Sequence, residues 1–353
     1  MQCPSGLIWS EDKHVCDWNT PQPSINCNNN KVINCREHTT WTSDGVAFVG
    51  QDTNPGSDSQ HLASPFGLFI DTENENNLYV ADTDNHRIQK YSHQSLNNGG
   101  ITVAGGHGKG NASNQLSMPR TVYVDKDENI YIADDDNNRI QLWYKGATSG
   151  ITVAGGNGKG KALNQIGACH GLFVHEKTKT IYVSDFYNDR VVKFTEGSDQ
   201  GIIVAGTGVG GSKSNQLLMP RGIFVDQCET IYVADMWNSR VQKWGKDATE
   251  GITVAGGHEK GSDENQLSEP WDVKLDQYNN IYVADTGNSR VVKWLPNQLH
   301  GVTVAGGNGY GIKSNQFKDA YSLALDRQGN IFVSERLNHR IQMFQINETT
   351  KTC

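Results

Sequence analysis

The sequence predicts an all-β fold, a six-bladed β-propeller, and three observations carry that prediction. A pattern Asp-x-x-Asn-x-Arg recurs at intervals of 50 to 52 residues. Each interval holds four short apolar runs separated by polar turns, with no helical period between them. The repeats also open on a fourth run that has no unit before it, so the two ends of the ring should meet there.

The pattern starts at Asp82, Asp134, Asp185, Asp235 and Asp285, with Glu335 heading a sixth copy, and each copy ends on an arginine. The second unit shows the order of elements. Residues 121–124 form an apolar run rich in β-formers, 125–129 a polar turn, 130–133 a second run and 134–138 a second turn. Residues 139–143 alternate as a half-exposed strand should, and a loop leads to the fourth run at 151–155. Fourth runs follow five copies, but the sixth ends near Phe344 without one. Residues 46–50 supply it, which closes the last blade and leaves no edge between blades. The propeller is expected over 45–346, between a leader at 1–44 and a tail at 347–353.

Composition narrows the alternatives. No window of the 353 residues approaches the roughly 18 apolar residues of a membrane helix, so no membrane partner is expected. A net charge of −8 does not favour a nucleic-acid partner, since such binding depends on Lys and Arg neutralising phosphates. Cys3, Cys16, Cys27 and Cys35 crowd the start and Cys353 ends the chain, which reads as a disulfide module in an oxidising compartment. Cys35 and Cys353 flank the seam and are expected to form a clasp, while Cys169 and Cys228 read as free thiols. No signal peptide is visible, and Met1 stands two residues before Cys3, so the true N-terminus is expected to be missing from this chain.

Two resemblances follow. Residues 217–220, Gly222-Ile-Phe-Val-Asp226, Ile231-Tyr-Val-Ala-Asp235 and Asn238-Ser-Arg240 look like NHL repeats, and the likeness covers about 45–346. It implies a propeller but several functions: the binding end of a tripartite-motif ubiquitin ligase, an RNA binder, an extracellular sensor or an amidating lyase. The leader, with Cys3-Pro-Ser-Gly-Leu-Ile-Trp9, Cys16-Asp-Trp18 and Cys27, resembles the second half of a peritrophin-A (chitin-binding type 2) module. That likeness implies a Cys3–Cys16 disulfide, leaves Cys27 without its partner, and places Trp9 and Trp18 where rings stack on chitin.

Motifs that look chemical read as structural. Residues 155–161 fit G-x-x-x-x-G-K, but Ala162 follows where a phosphate loop needs Ser or Thr, and no helix follows. The Asp and Arg of the repeat occur in every unit, so they serve the unit. The histidines show no metal spacing. The resemblance to amidating lyases implies metal-binding histidines at the channel, and His170 alone is placed for that, with His175 at the far end of its strand. Asp272 is the one acid clearly directed at the axis. No catalytic residue, metal or cofactor is assigned.

Differences between the units point to a binding face. The residue after the start of each innermost strand runs Phe66, Arg120, His170, Arg221, Trp271, Tyr321, a cationic arc facing an aromatic one. The neighbouring turns carry Phe186-Tyr187 and Met236-Trp237 in two adjacent units, four large apolar side chains expected to form an exposed patch. Loops such as 106–117 would rim it. Asp84, Asp135, Asp136 and Asp189 line nearby turns and oppose single-stranded RNA. The expectation is a secreted, monomeric, non-enzymatic protein whose propeller face binds a protein or glycan, with chitin as a further ligand of the leader. Sequons at Asn111 and Asn347 are glycosylation candidates. The competing class is a metal-dependent lyase or lactonase-like hydrolase working around His170, Arg221 and Asp272.

Overall fold

The computed structural model describes residues 8–10, 15–17, 36–93 and 99–352, with side chains over 39–93 and 99–347. Residues 1–36 with Cys353 form one unit and 37–352 another. In the first, Ile8–Ser10 pairs antiparallel with Val15–Asp17, Trp9 opposite Cys16. The expected Cys3–Cys16 and Cys35–Cys353 pairs, Cys27 and the rings of Trp9 and Trp18 lie outside the described residues.

The second unit is six four-stranded antiparallel sheets, five of them running outward in chain order. Pro65–Asp71, Asn77–Asp82, Arg87–Tyr91 and Ile101–Gly105 make the first blade. The innermost strands pack on one another around the ring, and Ala320–Leu325 of the sixth blade returns to Pro65–Asp71. The sixth blade is completed by Val46–Val49, with Val49 opposite Ile341, as the orphan fourth run requires. Arg36–Trp41 and Ile346–Thr352, in the expected leader and tail, add a two-stranded sheet. Its Thr-rich composition suits a strand once a partner is supplied from the other end of the chain.

Burial explains the recurring residues. Trp143, Trp244 and Trp294 end third strands and are fully buried. The glycine before the following strand lies against them: a Cβ at Gly150 would stand 2.4 Å from the Trp143 ring. In every blade the register slips by one residue between third and fourth strands, as at Ile88/Gln89. Such bulges twist an outer strand and blunt its exposed edge.

The repeated motif is a loop clamp. In the fourth blade, buried Asp235 accepts from the Leu218 amide at 2.8 Å, from Asn238 Nδ2 at 2.8 Å and from Arg240 Nε at 2.7 Å. Asn238 then donates to the Gly211 carbonyl, and Arg240 to those of Ser212, Lys213 and Gln216. One carboxylate thus pins the long loop of its own blade to the mouth. The residue ahead of each arginine is left-handed (φ 49° to 54°) and in several blades ties to the next. His86 Nδ1 accepts from the Met118 amide, Asp189 from Met219, and His339 Nδ1 from Ser64 across the seam.

One expectation is corrected. Cys169 is a free, buried thiol, but Cys228 is disulfide-bonded. Its turn is half-buried, not shielded within a strand.

Candidate functional site at the channel mouth

The innermost strands bring Phe66, Arg120, His170, Trp271 and Tyr321 together around one cavity, as their common register implies, and Arg221 at the same register position lies against His170 and Trp271. The arc of Arg120, His170 and Arg221 touches the aromatic arc at both ends: Arg120 sits 4.1 Å from the centre of the Phe66 ring, and Arg221 sits 3.7 Å from Trp271 and also 3.9 Å from Phe186. Trp271 stacks on Tyr321 with ring centres 3.5 Å apart, and His170 stacks on Phe186 at 4.4 Å. The cavity left at the centre measures about 30 Å³, roughly the room for one water.

Hydrogen bonds lock this plug. Arg221 Nη1 donates to His170 Nδ1, so that nitrogen is an acceptor and the proton of the neutral ring lies on Nε2. Nε2 faces Asp135 at 3.6 Å, and Asp135 also takes Arg120 Nε at 3.1 Å and the Cys169 amide at 2.8 Å. Burial pushes His170 down to about 4, and the Arg221 charge adds to this against the pull of Asp135. Burial also pushes Arg221 down, to about 9, which still leaves it charged at neutral pH. Burial alone would raise Asp135, but the bonds from His170, Arg120 and the Cys169 amide hold its carboxyl below the usual range.

Buried Asp272 lines the same cavity, but its oxygens are taken. They accept from Lys274 Nζ at 2.8 Å, Ser322 Oγ at 2.7 Å and two backbone amides. Lys274 was missed in the sequence; it stands where other units carry Phe69, Tyr123, Phe173 and Phe224, a contrast that the repeat alignment contains. Among the described residues, no three His, Cys, Asp or Glu side chains converge as ligands of a metal.

The expected four-residue exposed patch is half present. Phe186 and Met236 are buried, packed with Ala168 against Trp271 and Met219. Tyr187 and Trp237 are 54% and 60% exposed. The turn geometry gives the reason. The first turn residue (Thr83, Asp135, Phe186, Met236) folds over the mouth and is buried, while the second (Asp84, Asp136, Tyr187, Trp237) faces outward. Lys159 covers Tyr187 at 4.2 Å, and Asn111 and Asn347 are exposed.

The NHL repeat model matches residues 70–91 and 267–294. No curated protein matches the sequence. Among solved structures, an auxiliary nutrient binding protein from Bacteroides thetaiotaomicron is similar, with TM-score 0.64 and 16% identity over 88% of this chain and 78% of that one. A gluconolactonase from Xanthomonas campestris gives TM-score 0.59 and 9% identity over 88% and 98%. A chain of a nidogen–laminin complex gives 0.51 and 16% over 67% and 78%. At these identities the likeness carries the fold alone.

Proposed function

From a six-bladed β-propeller that carries NHL repeats, we propose a non-enzymatic binding protein that engages a protein or glycan ligand through the rim of the plugged mouth. The observation that carries this reading is the pairing of exposed Tyr187 and Trp237 on adjacent blades, beside a mouth whose own side chains fill it. Large rings held outward by a rigid turn are the type of residue that dominates interface energetics. The nutrient-binding and nidogen-complex neighbours are compatible with such a role. The disulfide at Cys228 supports a secreted life in an oxidising compartment, with chitin as a ligand of the leader.

The test is a paired substitution. Tyr187→Ala with Trp237→Ala should abolish capture of ligand on glycan and secretome arrays while changing stability by only about 0.5 kcal/mol per site. Capture that survives the pair overturns the assigned face. The gluconolactonase neighbour keeps one second reading, an enzyme acting around His170, Arg221 and Asp272. Stoichiometric zinc or calcium in the purified protein would favour it.

A further inference from the structure

The rings of the mouth and rim share one habit. Phe66, Phe186, Tyr187, Trp271, Tyr310 and Tyr321 each carry a Lys or Arg of this chain, at 3.7 to 6.0 Å from the ring centre. Trp237 is the exception: no described cation lies over it, although its indole is 60% exposed. Trp is the best acceptor of a cation among the aromatic side chains, because its face holds the most negative potential. The surroundings suit a cation as well. The chain carries −8 overall, Asp189 on the adjacent blade bonds the Met219 amide, next to the Leu218 carbonyl that takes the Trp237 amide, and Arg221 and Arg120 are turned inward and engaged.

We infer that Trp237 is a vacant seat for an arginine or lysine side chain of a basic protein segment, which completes on the outside the cation–ring pairing that the chain makes for itself elsewhere. This rests on the reading of the rim as a binding face and commits it to a cationic protein partner over a glycan. An arginine fits best, since its planar guanidinium stacks on a ring and retains its charge. Electrostatic complementarity with the acidic chain would steer the encounter and make it salt-dependent.

The inference is tested on the whole protein by following the Trp237 indole N–H resonance, identified by its loss in Trp237→Phe. Acetyl-Gly-Arg-Gly-amide is titrated in, with the same peptide carrying neutral citrulline and with an N-acetylglucosamine trimer as controls. The arginine peptide is expected to shift Trp237, to bind about three- to fivefold more tightly than the citrulline peptide, and to weaken in added salt. Equal response to citrulline, response to the sugar in place of arginine, or no response to arginine would overturn it. The two readings fail separately. If the Tyr187/Trp237 pair abolishes capture but arginine leaves Trp237 unmoved, the face stands and the cationic partner falls. If capture survives the pair, the face falls.

Discussion

Arg221 sits 3.7 Å from the centre of the Trp271 ring, in a layer it shares with His170. The guanidinium takes rings and an imidazole in place of water, so the chain's own most ligand-like side chains occupy the mouth. Arg221→Met removes the donor to His170 and both cation–ring contacts. It should cost about 2–3 kcal/mol in chemical denaturation, where Trp237→Ala costs almost nothing. Equal stabilities for the two variants would contradict a plug held by Arg221.

Acidification should loosen the same plug. His170 has a folded value of about 4 against an ordinary 6.5. Because it is depressed, its contribution is fully present above 6.5 and is lost as the pH falls through 4, on the order of 3 kcal/mol in total. His86 and His339 are also lowered, first by burial, and act in the same direction. Unfolding free energy measured from pH 7 to 4 should fall more steeply in the native protein than in His170→Gln. Parallel curves would refute the assignment.

Loss of one clamp should release one loop. Asp235→Ala leaves Arg240 and Asn238 without their buried carboxylate and should destabilise by about 3–5 kcal/mol. Limited proteolysis should then cut within 207–218 before any other loop. Uniform cleavage around the ring would show that the motif does not act blade by blade.

Backbone approach at the axis gives a steric prediction. A Cβ on Gly222 would meet Asp272 Oδ1 at 2.2 Å and the Asp272 Cα at 2.7 Å, whereas one on Gly245 meets nothing within 4 Å. Gly222→Ala should therefore lower stability by about 2–3 kcal/mol, and Gly245→Ala should leave it within about 0.5 kcal/mol. A thermal melt of both variants decides the point.

Much of this molecule was present in the sequence because repetition makes register visible. The spacing from Asp82 to Glu335, the alternation along each third strand and the unpartnered run at 46–50 set blade number, strand order and closure. They also put Phe66, Arg120, His170, Trp271 and Tyr321 around one cavity, with Arg221 against Trp271. Pattern comparison could not say which of those side chains would face solvent. That depends on distances between different blades, such as Arg221 reaching Phe186 and Trp271 or Ser322 reaching Asp272, and on a turn that buries Met236 while exposing Trp237. Side-chain charge and ring character were written in the chain; whether each was spent inside the ring or offered outward was decided by packing, because six inner strands meeting at one axis leave room for their own residues and for about 30 Å³ more.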